Sequence, residues 1–326
     1  VRPDAGPAPA GHGIAVVVPC FRVRDQILGV LGRMGPDVAR VYVIDDGCPQ
    51  KTGDAVEEQC ADPRVCVLRH GENRGVGAAV VTGYRRALAD GAEIIVKLDG
   101  DGQMDPALIP RFVRPILEGE ADYSKGNRFF NVEDVQEMPA LRFWGNAALS
   151  FASKLASGYW ELFDPNNGFT AIHARVAALL PLDKLSRGYF FESDVLFRLN
   201  TLRAVVVEIP VRAHYGDEES GLDPLRMIPE FFAKHTRNLV KRIFYNYFLR
   251  SFSIASVNLV LGGLLLLGGV GWGIYAWVRG SQLGVFASSG QVMLASLPII
   301  VGVQLLLAFL GTDMASTPRV TLHKRL

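Results

Sequence analysis

The sequence is poor in cysteine: Cys20, Cys48, Cys60 and Cys66 are the four in 326 residues, and none forms a Cys-x-x-Cys pair. That scarcity argues against a disulfide-built scaffold and a paired-cysteine zinc module, and suggests reduced thiols in a cytosolic compartment. A basic excess is missing as well. With 34 Lys and Arg against 33 Asp and Glu, no nucleic-acid partner is expected. The start lacks the apolar core of a secretory signal, and residues 1–13, rich in Pro, Ala and Gly, read as a flexible leader. Yet 49% of the residues are hydrophobic and the mean hydropathy is +0.19, too apolar for a disordered chain.

Charge is what two long stretches lack. Ser251–Val278 has no charged side chain, and neither has Gly280–Thr312. About 20 apolar residues cross a bilayer, so residues 251–312 predict two transmembrane helices near 252–278 and 291–311. Gly269 and Gly273 have the small-xxx-small spacing that lets such helices approach closely. Lys234, Arg237, Lys241, Arg242 and Arg250 precede the pair, Arg319, Lys324 and Arg325 follow it, and the connecting loop offers only Arg279. After Glu230 the single acidic residue is Asp313. The positive-inside rule therefore places both ends of the hairpin in the cytoplasm, with the preceding domain, both termini and a tail over 313–326.

Residues 223–250 predict an amphipathic helix in which Ile228, Phe231, Phe232, His235, Leu239, Ile243 and Tyr247 recur every three to four positions. Basic residues between them suit a helix lying in the membrane interface; an ordinary helix docked on a soluble core is the alternative.

The remaining stretch, 14–222, alternates β-branched runs with helical ones. Strands are predicted at Ile14–Val18, Val41–Ile44, Val65–Leu68 and Ile94–Leu98, and helices near Asp25–Met34, Thr52–Gln59 and Gly77–Ala89. Such alternation builds an α/β domain with a mainly parallel sheet, whose ligands bind beyond the carboxyl ends of the strands. Polar clusters fall there: Pro19-Cys20-Phe21, Asp45-Asp46-Gly47 and Asp99-Gly100-Asp101-Gly102-Gln103. Two carboxylates and an amide, Asp99, Asp101 and Gln103, can converge on one hard cation, Mg²⁺ or Mn²⁺, that also grips a diphosphate. Asp45 and Asp46 suit a nucleotide base or ribose, or a helix-capping turn. Arg74 and Gly75 open a helix, so their N–H groups and the guanidinium suit a phosphate. A dinucleotide fingerprint is disfavoured, because Val80 occupies the third glycine position and no Walker lysine follows.

Together these strings resemble the family 2 glycosyltransferases that load sugars onto polyprenyl phosphates. Val16-Val17-Val18-Pro19, Ile44-Asp45-Asp46-Gly47, Asn73-Arg74-Gly75 with Gly83, and Leu98-Asp99-Gly100-Asp101-Gly102-Gln103 carry the likeness. Lys125-Gly126-Asn127-Arg128, Asp164-Pro165-Asn166-Asn167-Gly168-Phe169 and Glu208-Ile209-Pro210-Val211 continue it in order. The resemblance implies a GT-A nucleotide-diphospho-sugar transferase fold and inverting transfer of a sugar to an undecaprenyl- or dolichyl-type phosphate. It implies metal ligation by Asp99, Asp101 and Gln103, donor binding by Pro19, Asp45, Asp46, Arg74, Gly75 and Asp99, and acceptor binding by Lys125 and Arg128. Asp101 and Arg128 would be the catalytic residues. A homo-oligomer fits the same picture. Glu192 and Asp194 suit either a sugar hydroxyl, a base or a plain helix N-terminus, and the aromatic stretch Arg142–Gly158 suits an acceptor groove or core.

The sequence also departs from the family. Cys20 and Cys48 stand where Thr and Ser are usual, and His214–Gly221 lacks the basic residues of the family's Gly-Glu-Ser-Lys loop. Another lipid or glycan acceptor, or a nucleotide-sugar-binding membrane partner without turnover, are the alternatives.

Overall fold

The computed structural model describes residues 13–130, 140–211 and 224–326, without the side chains of 140–144, 146 and 224–227. Residues 1–12 of the expected leader, the 214–221 loop, and the side chains of Phe143 and Trp144 therefore lie outside the described residues. The chain divides into two compact units, Val1–Leu239 with Pro318–Leu326, and Val240–Thr317.

The first unit is built on seven strands, β1 (Ile14–Cys20), β2 (Val38–Asp46), β3 (Val65–His70), β4 (Ile94–Lys97), β5 (Tyr123–Asn127), β6 (Thr170–His173) and β7 (Val206–Pro210). Their order in the sheet is β3-β2-β1-β4-β6-β5-β7. β6 runs antiparallel to β4 and β5, and all other pairs are parallel. Helices α1 (Arg24–Leu31), α2 (Thr52–Gln59), α3 (Val76–Ala89), α4 (Ile109–Leu117), α5 (Ala140–Ser157), α6 (Ala174–Leu179) and α7 (Phe191–Leu202) complete the domain.

β1 is apolar throughout because helices cover both sheet faces. Its alternate residues Ala15 and Val17 pack with Val80 and Tyr84 of α3 and Phe191 and Val195 of α7. Val16 and Val18 pack with Ile27 and Val30 of α1 and Phe112 and Val113 of α4. Gly83 allows α3 to lie directly on β1, since a Cβ there would strike Val17.

Strands β1 and β2 extend further than their β-branched runs suggest. The parallel ladder continues through Pro19↔Ile44 and Cys20↔Asp45, and Asp46 pairs with His70 of β3. Pro19, Asp45 and Asp46 are thus strand residues rather than loop residues.

After the apolar helices the chain rejoins this unit. Asp122, just before β5, accepts hydrogen bonds from the backbone N–H groups of Leu322 and His323, both at 2.8 Å, and of Val205 at 2.7 Å. His323 Nδ1 lies 2.7 Å from the same carboxylate, and its ring stacks on His173.

Helix α8 (Pro224–Phe244) begins in the first unit. There Phe231 and His235 pack on Phe190, and Asn238 donates to Asp194 at 3.2 Å. Ile228 and Phe232 remain 63% and 71% exposed. One stripe of this helix docks on protein, and a second apolar stripe is left facing outward.

The second unit holds α9 (Ile254–Leu283) and α10 (Ser289–Ala315), each long and apolar enough to cross a membrane. Only 22% and 11% of their most apolar windows are buried, unlike helices of a soluble core. Capping boxes at Ser253 and Ser288 start them, and Gly284, at φ +65°, ends α9. Arg279 consequently lies within α9, bonded to Tyr275 one turn earlier, and not in the connecting loop. The helices meet through small residues. A Cβ on Gly262 would come within 3.0 Å of the Gly302 carbonyl, and one on Gly269 within 2.8 Å of that of Ala295. Gly273 tolerates an ordinary contact.

Candidate active site

The carboxyl ends of β1, β2 and β4 and the turn after β4 bring the acidic clusters to one end of the sheet. In that turn, Asp101 Oδ1 accepts from the Gln103 N–H at 3.0 Å, and Gly102 takes φ +80°. Asp101 is half-buried and Gln103 exposed. Asp99 is anchored from below, its Oδ1 2.9 Å from the Lys97 ammonium. Lys97 in turn lies 2.8 Å from Glu192 Oε1 at the start of α7. Burial alone would lower the Lys97 pKa, but Asp99 and Glu192 outweigh it and raise it. Gly168 seals the group, because a Cβ there would run into Asp99 Oδ2 and come within 2.6 Å of Lys97 Nζ.

No trio of His, Cys, Asp or Glu gathers tightly enough for a metal on its own among the described residues. The donor set is two carboxylates and an amide, all hard oxygens at a partly open turn. That suits a Mg²⁺ or Mn²⁺ ion that takes its remaining ligands from a diphosphate.

Asp45 and Asp46 are buried, and their oxygens serve the fold. Asp45 accepts from the N–H groups of Cys48 at 2.7 Å and Gly53 at 2.6 Å, capping the first turn of α2. Asp46 accepts from Arg74 N at 3.0 Å and Gly75 N at 2.8 Å, and meets His70 Nδ1 at 2.6 Å. Cys48 takes the place of a hydroxyl: its sulfur accepts from Arg22 N at 3.0 Å and lies 3.1 Å from Thr52 Oγ1.

Three of the expected site groups are engaged within the fold. The start of α3 does not offer its N–H groups to a phosphate, because Arg74 and Gly75 donate to Asp46 while Gly77 and Ala78 donate to the Arg187 carbonyl. The exposed Arg74 side chain instead lines a groove of about 550 Å³ with His70, Arg85 and Arg187. Pro19 is buried inside β1 and presents no ring to a donor. Lys125 is fully buried on β5 and donates to the Asp164 backbone carbonyl, so it has no surface for an acceptor. Burial lowers its pKa to about 8, with Asp164 and Glu208 opposing.

Arg128 stays accessible, with 36% of its side chain exposed. Its guanidinium grips Asp164 in a fork, Nε to Oδ2 at 2.8 Å and Nη2 to Oδ1 at 3.1 Å. Burial would raise the Asp164 pKa, but Arg128 and Lys125 hold it below the usual carboxylate value. Glu208 braces the same loop by accepting from Phe163 N at 2.7 Å and Asp164 N at 2.9 Å. The aromatic helix α5 is divided between the two readings, since Phe151 is 57% exposed while Tyr159 just beyond it is core.

Lys97 and its bond to Glu192 escape a reading of motifs. The signal was a lone charge ending the apolar run Ile94-Ile95-Val96.

A family profile described as glycosyl transferase family 2 matches residues 15–179. A UDP-N-acetylglucosamine–dolichyl-phosphate N-acetylglucosaminyltransferase of Methanococcus voltae is 26% identical over 218 residues, covering 63% of this chain and 86% of that protein. An undecaprenyl-phosphate mannosyltransferase of Micrococcus luteus is 30% identical over 202 residues, covering 61% and 82% respectively. In fold, the chain is similar to glucosyl-3-phosphoglycerate synthase from Mycobacterium tuberculosis, solved with Mn²⁺, UDP and glucosyl-3-phosphoglycerate. The TM-score is 0.52 at 22% identity, covering 72% of this chain and 80% of that one. The order of motifs from β1 to β6 follows the matched span, and the chain belongs to glycosyl transferase family 2 and is a glycosyltransferase.

Proposed function

We propose that this enzyme transfers a sugar, with inversion, from a nucleoside diphosphate to a polyprenyl phosphate at the cytoplasmic face of a membrane. One observation carries the reading: a carboxylate turn suited to a metal–diphosphate and two membrane-length apolar helices belong to the same chain. Relatives named for dolichyl and undecaprenyl phosphates support the acceptor class.

In this reading residues 14–222 form the catalytic domain, 223–250 a helix at the interface, and 251–312 a transmembrane hairpin. The exposed Ile228 and Phe232 of α8 suit contact with acyl chains. The basic flanks favour a cytoplasmic catalytic side. Residues 318–326 belong to the same unit as the sheet, which favours a hairpin that leaves and returns on that side.

Asp99, Asp101 and Gln103 would hold Mg²⁺ or Mn²⁺, which when bound supplies Lewis-acid neutralisation of the departing diphosphate. Asp45 and Asp46 shape the donor end by fixing the starts of α2 and α3, and Arg74 offers charge to the donor from its groove. The acceptor phosphate is already an anion near neutral pH, so it attacks without a strong base. Arg128, locked by Asp164 yet accessible, offsets the repulsion between two phosphate-bearing substrates.

The fold likeness to a phosphoglycerate glucosyltransferase supplies the competing acceptor, a soluble phosphate. Purified protein would be offered labelled nucleotide sugars with polyprenyl phosphate and 3-phosphoglycerate in the same reaction. Label is expected in the lipid; label confined to phosphoglycerate would overturn the acceptor assignment.

A further inference from the structure

A lysine that ends an apolar central strand needs a physical reason. β4 alternates, so Lys97 shares the face of Ile95, the face covered by α7. Its side chain is 2% exposed and touches two carboxylates, Asp99 Oδ1 at 2.9 Å and Glu192 Oε1 at 2.8 Å, from residues 95 positions apart in one case. An isolated buried ammonium is expensive, and one buried between two carboxylates leaves the group with a net negative charge. Of the three, only Asp99 reaches solvent appreciably, with 29% of its side chain exposed against 8% for Glu192. Gly168 lies against the other carboxylate oxygen, since a Cβ there would come within 2.6 Å of Lys97 Nζ and run into Asp99 Oδ2; its bare backbone leaves that oxygen its place.

We propose that Lys97 and Glu192 are positioning residues for Asp99, clamping one of its carboxylate oxygens so that the other is presented in a fixed direction to a cation–diphosphate. The inference rests on the reading of Asp99 as a donor-site ligand. Glu192 keeps the ammonium drawn partly away from Asp99, which preserves negative charge on that carboxylate for a cation. Neither residue needs to touch the substrate for this. Outer partners of metal-binding groups typically contribute about 10–100-fold in metal affinity.

The test uses the full chain in detergent, with Mn²⁺ binding followed by electron paramagnetic resonance, alone and with UDP or GDP. Lys97→Met with Glu192→Gln removes the clamp and keeps the group's charge at one negative, where one positive and two negatives stood before. This double variant is expected to melt near the wild-type temperature and to bind Mn²⁺ with nucleotide about 10–100-fold more weakly. Wild-type affinity in a folded double variant would overturn the clamp. Glu192→Gln alone serves if the double variant fails to fold; it strengthens the Lys97 hold on Asp99, so weaker Mn²⁺ binding is expected and unchanged binding contradicts the proposal. Asp99→Asn separates the two ideas. If it too binds as wild type, the donor-site reading of Asp99 fails; if it loses binding while the double variant does not, only the clamp fails.

Discussion

Arg242 and Asp313 form a buried, forked ion pair within the second unit, Nη1 to Oδ1 at 2.6 Å and Nη2 to Oδ2 at 3.0 Å. Both side chains are 2% exposed, and the Tyr247 hydroxyl donates to Asp313 Oδ1 at 2.7 Å. The pair joins the end of α8 to the end of α10 and accounts for the lone acid after Glu230. Removing one partner strands a buried charge, so Asp313→Leu is expected to cost about 3–5 kcal/mol. Arg242→Met with Asp313→Leu is expected to recover most of that loss. Thermal unfolding in detergent measures both; equal stability of the single and double variants would contradict the account.

His235 gives the protein an acid-sensitive contact. Its two ring nitrogens are buried without a hydrogen-bond partner among the described residues, and burial lowers its pKa from 6.5 to about 4. The unfolded chain therefore binds a proton between those values while the folded one does not. Stability is full above pH 6.5 and falls as the pH drops toward 4, by about 3 kcal/mol from this group. His235→Phe, between the rings of Phe190 and Phe231, is expected to flatten that limb. Denaturation of both proteins from pH 7 to pH 4 reads the difference, and parallel curves would count against it.

Asp122 holds the returning tail. Three backbone N–H groups and the His323 ring converge on it. Asp122→Ala would strand buried donors at a cost of about 3 kcal/mol. Limited proteolysis is expected to cleave near residues 318–326 in the variant and spare them in the wild type.

The two candidate catalytic residues should fail differently. If Asp101 holds the metal as proposed, Asp101→Ala loses several kcal/mol of charge neutralisation, and transfer at least about a hundredfold slower is expected. Arg128→Lys keeps a charge but loses the fork on Asp164, so activity is expected to fall about tenfold, mainly through the acceptor KM. Steady-state kinetics with varied acceptor separates them.

The parts of the fold that were legible from sequence are those written in local patterns. β1 to β4 and the apolar helices announce themselves by runs and periods, because burial on both faces, or in lipid, imposes apolar residues on neighbours. What stayed hidden depends on partners far along the chain. Asp46 suited either a nucleotide or a turn, and its partners His70, Arg74 and Gly75 come from later in the chain. Lys125 was expected at the acceptor, and on β5 it is buried and donates to the Asp164 carbonyl. Lone charges in apolar surroundings, Lys97 and Asp313, were informative signs of distant partners, since each buried charge requires one.

The central claim is that the sugar ends on a lipid phosphate. The most direct measurement is mass spectrometry of the lipid extract after incubating the full chain with polyprenyl phosphate, Mn²⁺ and a panel of nucleotide sugars. A polyprenyl phosphate heavier by one sugar residue is expected with at least one donor, and none after chelation. Lipid of unchanged mass with every donor, from folded protein that binds Mn²⁺ and nucleotide, would contradict it.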